Sequence, residues 1–527
     1  MISRWRQVCA LEDIYPDTGV CALIEGQQVA IFRVRGGVFA IGNCDPASGV
    51  NVLARGIVGD LNGELVVASP IYKQHFSLVS GLCLEEPQLS VPVYLARIVE
   101  DRVWVRMDVV APRAARSKRR LVVIGNGVAA MRTVEELLEL APQAYDIVVF
   151  GAEDHHPYNR VLLSSLLSGE KRGEEIVTHA SQWFDEHGIT LHCGDPIVRI
   201  DRARRCVHSS QGLEVGYDRL LIATGSDPVV LPLPGKHLPG VMTFRDLEDV
   251  DAMLAAAKTH RSAVVIGGGL LGVEAASGLA RRGMAVTIVD IATHLMNRQL
   301  DAHAAGLLRE QLEVRGLKVC LSVQTEAILG DDRVSGVLLR DGRQLPADLV
   351  VMATGIRPNI SLAAACNLRC DRGILVDDTL QTYDPAIYAV GECVQHRDTT
   401  FGLVVPLCAQ ARVCAAYLAE RGVRRYRASP CSTQLKVSGI DVFSAGDYAE
   451  GRGRESLVLR DPKRGIYKRL VLEGDKICGA VLYGDIRDGS WYFEMINERR
   501  DIGAVRAQLL FGGSSKGAAC GASATQP

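Results

Sequence analysis

Residues 263–272 read AVVIGGGLLG, and this stretch indicates the fold of the surrounding chain most directly. Four apolar residues typical of a buried strand lead into Gly267, Gly269 and Gly272, and an apolar helix pattern follows. In such a turn the first glycine permits a sharp bend and the second lets a pyrophosphate approach the backbone. The third allows the helix to pack closely on the strand. The stretch therefore predicts a dinucleotide-binding strand–turn–helix unit of a parallel α/β sheet.

The strand that follows this turn also ends as such a unit requires. Residues 285–289 are apolar or β-branched and are followed by Asp290. A carboxylate at this point can accept hydrogen bonds from the ribose hydroxyls of NAD and would repel the 2′-phosphate of NADP. Residues 291–293 are Ile-Ala-Thr and offer no arginine to hold that phosphate. The sequence therefore favours NADH over NADPH.

A similar stretch occurs earlier, at residues 121–130, which read LVVIGNGVAA. Here Gly125 permits the turn, Gly127 permits approach to the backbone, and Ala130 leaves room for helix packing. The next strand leads to Glu153, whose carboxylate can accept from ribose hydroxyls. Each unit also contains a later strand that ends in Ala-Thr-Gly, at Ala223, Thr224 and Gly225 in the first and at Ala353, Thr354 and Gly355 in the second. The repeat predicts two nucleotide-binding units in tandem.

Length, charge and cysteine content limit the class of protein. A chain of 527 residues is too long for one hydrophobic core, so we expect three or four domains. A formal net charge of −2 argues against a nucleic-acid partner. Residues 1–13 lack the pattern of a secretory signal, and the weakly charged run 263–280 contains five glycines, so no membrane segment is expected. Fifteen cysteines without framework spacing favour reduced thiols in the cytoplasm, not disulfides.

The ends of the chain follow a different pattern from the middle. Residues 1–108 alternate apolar and polar positions in short runs between turn signals, which predicts a small antiparallel β domain. Residues 109–119 carry a proline and a basic cluster and are expected to form an exposed linker. Short strands return in residues 421–511, and residues 512–527 are small and polar, which is typical of a disordered tail.

Residues 120 to about 420 resemble the two-dinucleotide-binding-domain flavoproteins, in which an NAD domain interrupts an FAD domain. The resemblance implies that the first glycine turn holds FAD and that the second holds NADH. Residues 382–392 read TYDPAIYAVGE and match the strand whose closing carboxylate binds the FAD ribityl chain. This stretch provides Gly391 and Glu392, and the family usually has aspartate at the position of Glu392. Glu274, just past the second turn, matches a carboxylate near the nicotinamide, although a helix surface charge is the alternative.

Two branches of this family fit less well. The disulfide reductases need a redox cysteine shortly after the second strand, but residues 156–165 read HPYNRVLLSS and contain none. Cys366 and Cys370 lie well downstream of that position. Many ferredoxin and rubredoxin reductases have a lysine where this chain has Ser165. Lys171 is a candidate for a place near the flavin, with solvation at the surface as the alternative.

Further motifs resemble the N-terminal flavin half of the large subunit of bacterial NADH-dependent nitrite reductases. They include residues 158–160, which provide Arg160 as a cofactor-binding candidate, and residues 391–394, 402–406, 435–444 and 482–485. Residues 4–106 resemble the Rieske-like small subunit of the same enzymes through residues 42–49 and 69–76. The similarity ends before the ferredoxin-like cysteine module and the sirohaem half of that large subunit.

A Rieske centre requires Cys-x-His and Cys-x-x-His, and this chain does not provide them. The resemblance places Asp45 and Ala47 at the first pair of ligand positions and Ser69 and Tyr72 at the second. Alanine has no ligand atom, and the nearby Cys44 and His75 have the wrong spacing. We therefore predict no metal centre, and we expect the domain to serve docking or scaffolding.

The predicted fold is multidomain, with a Rieske-like all-β domain, an NAD domain inserted in an FAD domain, and a small C-terminal α+β domain. The predicted boundaries are 1–108 for the β domain, 109–119 for the linker, 120–245 and 361–420 for the FAD domain, 246–360 for the NAD domain, 421–511 for the C-terminal domain and 512–527 for the tail.

The predicted function is hydride transfer from NADH to FAD, followed by electron transfer to a separate nitrate or nitrite reductase catalytic subunit. One alternative is a ferredoxin- or rubredoxin-type NADH reductase that serves another electron-transfer chain. Another is a flavin-bound regulatory or assembly protein without catalysis. An oligomer is compatible with the sequence.

Overall fold

The structure, a computed structural model, describes residues 5–61, 64–86, 88–110, 118–422, 424–428, 432–435, 437 and 439–512. The chain forms two compact units. The first contains Met1–Pro157, His179–Gly225 and Asn359–Arg427, and the second contains Tyr158–Thr178, Ser226–Pro358 and Ala428–Pro527. The predicted linker falls largely outside the described residues, as do nearly all of the predicted tail and Lys436 and Ser438 of the resemblance motifs. The predicted domain boundaries stay predictions.

The N-terminal part of the first unit is an antiparallel β domain, as predicted. Its six-stranded sheet has the order Trp5–Ala10, Arg102–Val110, Val93–Val99, Gly37–Gly42, Gln27–Val34 and Thr18–Ile24. A three-stranded sheet contains Ile57–Leu61, Glu64–Ala68 and His75–Ser77, and a short hairpin pairs Cys44–Asp45 with Val50–Asn51. Short 3-10 helices lie at Leu11–Asp13 and Leu53–Arg55. One core lies around Phe32, Phe76 and Leu78, because alternate side chains of these strands point inward.

The rest of the first unit is built on a five-stranded parallel sheet. Its order is Thr190–His192, Tyr145–Phe150, Arg119–Ile124, Arg219–Ile222 and Ile387–Ala389. Its helices are α1 (Val128–Leu140), α3 (Ser181–His187), α7 (Ser361–Ala365) and α8 (Val404–Leu418). Smaller sheets contain Ile197–Asp201, Cys206–Ser209 and Glu214–Gly216, and Ile374–Val376, Val394–His396 and Thr399–Thr400. Residues 121–124, 147–150 and 220–222 of the three central strands are apolar and buried, which is typical of strands covered on both faces.

The second unit repeats this plan. Its parallel sheet has the order Val241–Thr243, Leu349–Met352, Ser262–Ile266, Ala285–Val289 and Lys318–Cys320. Its helices in this region are α2 (Leu163–Ser168), α4 (Leu247–Thr259), α5 (Leu270–Arg281) and α6 (Ala302–Val314), with 3-10 helices at Arg160–Leu162 and Gly173–Ile176. Antiparallel pairs and sheets add Ser226–Pro228 with Ile356–Pro358, and Thr325–Gly330, Val334–Leu339 and Gln344–Pro346.

In each parallel sheet the strand that leads into the glycine turn has the next strand of the chain on one side and a strand from further along the chain on the other. Arg119–Ile124 lies between Tyr145–Phe150 and Arg219–Ile222, and Ser262–Ile266 lies between Ala285–Val289 and Leu349–Met352. Strand order therefore reverses at both turns, which is where open α/β sheets bind their ligands. The predicted pair of Rossmann-like domains, one inserted in the other, is confirmed.

A C-terminal α+β region completes the second unit, as predicted. Its antiparallel sheet has the order Ser432–Gln434, Val442–Gly446, Lys476–Tyr483, Ile466–Glu473 and Arg454–Asp461. Helix α9 (Gly489–Glu498) and a 3-10 helix at Arg506–Phe511 accompany it. Within the described residues, none of the helices combines the length and the apolar character that crossing a membrane requires.

Candidate dinucleotide-binding site

The first glycine turn has a backbone that only glycine tolerates at its first position. Gly125 has a φ of +104°, and a β-carbon there would overlap the carbonyl oxygen of Ala223. Gly127 caps the N-terminus of α1 with a φ of −76°, and no heavy atom lies within 4 Å of the place where its β-carbon would stand. The open side of Gly127 and the helix N-terminus together fit an approaching pyrophosphate.

Two neighbouring side chains shape this turn. Ala130 is fully buried against the strand, which agrees with the predicted close packing of helix and sheet. Asn126, which the sequence analysis did not single out, donates through Nδ2 to the carbonyl oxygen of His155 at 3.0 Å. Asn126 thus ties the turn to the loop that follows the second strand. Glu153, the predicted ribose ligand, lies in that same loop and is half-buried.

The second turn repeats the geometry of the first. Gly267 has a φ of +113°, and a β-carbon there would overlap the carbonyl oxygen of Ala353. Gly269 caps α5, and no heavy atom lies within 4 Å of its hypothetical β-carbon. A β-carbon on Gly272 would overlap the carbonyl oxygen of Gly267. Glycine is therefore required at 272, although the first turn accommodates Ala130 at the corresponding place.

Asp290 does more than the sequence analysis predicted. Its Oδ2 accepts a hydrogen bond from the backbone N–H of Gly268, and its Oδ1 accepts one from the N–H of Ala292 at 2.7 Å. The carboxylate therefore holds the glycine turn and the following loop together. Carboxylate oxygens have further lone pairs, so these contacts leave capacity for ribose hydroxyls. Ile291 beside it is 71% exposed.

The Ala-Thr-Gly segments each follow a strand of a parallel sheet, and the threonine of each segment fixes the chain there through a hydrogen bond. Thr224 donates through its hydroxyl to the carbonyl oxygen of Asn359 at 2.8 Å in the first unit. Thr354 donates in the same way to Val229 at 2.7 Å in the second. Gly225 and Gly355 have φ values of +68° and +113°, in the region that favours glycine. These predicted residues therefore hold the strand ends beside the turns.

Gly391 lies close to the first turn, as the resemblance implies. A β-carbon on Gly391, whose φ is +97°, would stand 3.0 Å from the β-carbon of Ala129 in α1. Its backbone N–H donates to Oε1 of Gln410 at 2.7 Å, and Gln410 is fully buried in α8. Gln410 was not predicted from the sequence, where a lone amide in the apolar pattern of residues 404–418 was the available signal. Glu392 follows at the carboxyl end of the strand Ile387–Ala389 and is half-buried.

The remaining predicted site residues lie in the second unit. Arg160 donates through Nη1 to the carbonyl oxygen of Arg245 at 3.2 Å. Glu274 is 6% exposed in α5, so the predicted alternative of a helix surface charge does not describe its position. Lys171 follows α2, and its Nζ lies 3.8 Å from Glu175 with the side chain 39% exposed. The roles of Glu274 and Lys171 stay predictions.

Burial disfavours the reactive thiolate form of three cysteines in the first unit. Burial raises the pKa of Cys393, directly after Glu392, to about 11, and it also raises the pKa values of Cys366 and Cys370. A raised thiol pKa lowers the fraction of reactive thiolate. The cysteines that the structure describes carry no disulfide bond. These observations agree with the weak fit to the disulfide reductases.

One group among the described residues has the composition of a metal site. Donor atoms of Cys206, His208 and Glu214 all lie within 4.8 Å of one another. However, Nη2 of Arg199 lies 2.6 Å from Nε2 of His208, and Arg204 donates to Glu214 at 2.7 Å. Because guanidinium groups already contact donor atoms of His208 and Glu214, we assign no metal to the group.

Comparison with known proteins identifies the family to which this fold and its two glycine turns belong. Residues 119–413 match the family model for pyridine nucleotide-disulphide oxidoreductases, and the chain belongs to this family. Residues 4–106 match a Rieske-like 2Fe–2S domain, and residues 431–500 match the C-terminal domain of rubredoxin NAD+ reductase. Family membership and fold imply that the chain binds FAD and NADH, as predicted.

Individual relatives indicate which members of the family the chain resembles. The chain is 46% identical over 385 residues to a nitrite reductase (NAD(P)H) of Bacillus subtilis (strain 168), covering 73% of this chain and 48% of the relative. It is 41% identical over 393 residues to an assimilatory nitrate reductase electron transfer subunit of the same organism, covering 75% and 51%. The chain thus spans about half the length of these curated relatives. The predicted family resemblance is confirmed.

Solved structures agree with the fold. A covalent putidaredoxin reductase–putidaredoxin complex matches with a TM-score of 0.67 and 26% identity, covering 75% of this chain and 96% of the matched chain. A ferredoxin reductase from Rhodopseudomonas palustris also matches with a TM-score of 0.67 and 26% identity, covering 73% and 96%.

The residues of the N-terminal domain do not fit the iron–sulfur cluster that its family name implies. Ala47 offers no ligand atom, and the Tyr72 side chain is 62% exposed. Oδ2 of Asp45 instead accepts a hydrogen bond from the hydroxyl of Ser69 at 2.6 Å. We derive no electron-transfer step through a cluster in this domain.

Proposed function

We propose that this chain transfers hydride from NADH to FAD and supplies electrons to a separate nitrate or nitrite reductase catalytic protein in the cytoplasm. The observation that carries the proposal is the pair of glycine turns with matching backbone geometry, one in each parallel sheet. The relatives named for nitrite reduction and for nitrate reductase electron transfer support this physiological setting.

The first turn is proposed to bind FAD. Gly127 and the N-terminus of α1 would hold the pyrophosphate, since the backbone there is open and helix N-termini attract anions. Glu153 would accept from the adenosine ribose and Glu392 from the ribityl hydroxyls. Ala130, Gly125 and Gly391 allow the close backbone contacts, and Oε1 of Gln410 would fix Gly391 by accepting a hydrogen bond from its backbone N–H.

The second turn is proposed to bind NADH. Gly269 and the N-terminus of α5 would hold its pyrophosphate, and Asp290 would accept from the adenosine ribose. Gly267 and Gly272 shape the turn, and Glu274 is proposed to orient the nicotinamide end. Arg160 and Lys171 are further candidates for cofactor contact. Bound FAD supplies the redox chemistry, accepting hydride from NADH and releasing electrons to the acceptor.

Hydride transfer from NADH to FAD depends more on how the protein aligns the two cofactors than on acid–base catalysis by its side chains. The two turns would position the cofactors for this transfer. The N-terminal β domain is proposed to dock the acceptor or to support the fold, because its ligand positions do not fit an iron–sulfur cluster.

A second candidate is an NADH reductase for a ferredoxin or rubredoxin. The match of residues 431–500 to a rubredoxin NAD+ reductase domain favours it. The Rieske-like domain favours the first candidate, since the same domain is part of the nitrite reductase resemblance.

NADH oxidation with ferricyanide as acceptor tests the proposal on the full chain loaded with FAD. We expect turnover with NADH, and its absence would exclude both enzymatic candidates and favour a regulatory or assembly role. The acceptor is then tested with a purified nitrite or nitrate reductase catalytic protein and, in parallel, with a ferredoxin and a rubredoxin. NADH-driven nitrite or nitrate reduction supports the first candidate, whereas exclusive reduction of ferredoxin or rubredoxin supports the second.

A further inference from the structure

Two loops of the N-terminal domain meet at a buried hydrogen bond. The first loop lies between the strands Cys44–Asp45 and Val50–Asn51, and the second lies between Glu64–Ala68 and His75–Ser77. The hydroxyl of Ser69 donates to Oδ2 of Asp45 at 2.6 Å, and both residues are fully buried. A buried carboxylate is stable only when its oxygens are hydrogen-bonded, so this contact joins the two loops.

The same two residues also close the loops that carry them. Oδ1 of Asp45 accepts from the backbone N–H of Ala47 at 2.9 Å and from that of Ser48 at 3.4 Å. The Ser69 hydroxyl oxygen accepts from the N–H of Ile71 at 3.2 Å. Asp45 and Ser69 therefore each accept hydrogen bonds within their own loop, and the hydrogen bond between them joins the two loops.

In a Rieske centre an iron–sulfur cluster performs this connection, since each loop contributes one cysteine and one histidine. By the resemblance of residues 42–49 and 69–76, Asp45 and Ser69 stand at the first ligand position of each loop. A direct hydrogen bond of 2.6 Å between those two side chains leaves no space for an iron ion between them.

We propose that the Asp45–Ser69 hydrogen bond takes the place of the cluster as the link between the two loops, so that the N-terminal domain folds without iron. This inference does not depend on the function proposed above. It assigns the domain a structural element at the point where its family carries a redox centre.

Hydrogen exchange on the full chain tests the link directly. In Ser69→Ala we expect the amides of residues 43–54 and 65–77 to exchange about tenfold faster than in the wild type, because a charge-assisted bond is lost and the Asp45 carboxylate stays buried. Ser48→Ala is the matched control, since its hydroxyl lies in the same loop and, within the described part of the chain, accepts a long hydrogen bond of 3.4 Å from the backbone N–H of Val50. Equal exchange in the two variants would overturn the proposal.

Iron content provides an independent readout. Purified wild-type protein is expected to contain no stoichiometric iron, and two iron atoms per chain bound to this domain would overturn the proposal. The variant that combines Asp45→Cys, Ala47→His, Ser69→Cys and Tyr72→His restores the ligand pattern. We expect it to acquire iron and the absorption spectrum of a 2Fe–2S cluster when produced with cluster-assembly proteins. A folded variant that acquires none would show that the pair does not occupy the place of a cluster.

Discussion

Gly125 packs against the carbonyl oxygen of Ala223 so closely that no β-carbon fits between them. Gly127, two residues further along, has no heavy atom near the place where its β-carbon would stand. Two glycines of one turn are therefore required for different reasons. The first is needed by the fold of the protein itself, and the second is needed only when a ligand approaches.

The first prediction separates these two requirements. Gly127→Ala should leave the free energy of unfolding of the flavin-free protein within about 0.5 kcal/mol of the wild type, because its φ of −76° suits alanine. The same variant should be purified with less than about a tenth of the wild-type flavin, since a methyl group would block the pyrophosphate. Gly125→Ala should destabilise the flavin-free protein by about 2 kcal/mol or more. Denaturant unfolding and flavin absorbance measure the two effects. Wild-type flavin content in Gly127→Ala would refute its assignment.

The second prediction concerns the choice of nucleotide. Combining Asp290→Ala with Ile291→Arg removes the carboxylate that would repel a 2′-phosphate and adds a cation beside it. We expect kcat/KM with NADH to fall at least about tenfold and kcat/KM with NADPH to rise, as measured with ferricyanide. Ile291→Arg alone is the control and should keep a preference for NADH, because Asp290 is still present. A double variant that prefers NADH as strongly as the wild type would contradict the role of Asp290.

The third prediction concerns a buried lysine in the C-terminal region. Lys468 is 5% exposed, and its Nζ lies 2.9 Å from Asp488 and 3.1 Å from Asp485. Lys468→Met should lower the free energy of unfolding at pH 7 by about 3 kcal/mol, because it leaves two largely buried carboxylates with one cation fewer. The exposed Lys463→Met is the matched control and should change stability by less than about 0.5 kcal/mol.

The same variant has a defined dependence on pH. The hydrogen bond from Arg487 and, after the opposing effect of burial, that from Lys468 hold the pKa of Asp485 well below its ordinary value. A carboxyl group with a depressed pKa stabilises the folded state above its unfolded pKa of about 4, and this contribution is lost as the pH falls below that value. The difference between wild type and Lys468→Met should therefore shrink progressively as the pH falls from about 5 to about 2. A difference that grows in this range, measured by denaturant unfolding, would contradict the assignment.

The fourth prediction concerns thiol reactivity. Burial raises the pKa of Cys393 to about 11 and raises that of Cys414 still further, whereas Cys44 is exposed. Alkylation at pH 8 should modify Cys44 at least about a hundredfold faster than Cys393 or Cys414, as measured by peptide mass spectrometry. In denaturant the rates should converge. Rapid modification of Cys393 in the folded protein would contradict this prediction and favour the interpretation of the chain as a disulfide reductase.

The sequence by itself was enough to predict both glycine turns, the strands that precede them and the carboxylates that follow. The physical reason is local: the turn, the strand and the helix N-terminus are each specified by consecutive residues whose backbone needs are readable in the chain. The presence of two nucleotide-binding units followed from the same reasoning, because the unit occurs twice along the chain, whereas the insertion of one domain in the other was implied by the family resemblance. The resemblance of the N-terminal residues also indicated that the ligands for a Rieske cluster were missing.

Only the tertiary structure decided what stands beside those motifs. Gln410 reaches Gly391, Ser69 reaches Asp45, and Lys468 meets Asp488 across 19, 24 and 20 residues of sequence. Each contact depends on how separate helices, strands or loops pack, and a single polar residue in an apolar pattern does not name its partner. The close approach of Gly125 to Ala223 and of Gly267 to Ala353 is of the same kind, since it arises only when two strands lie side by side.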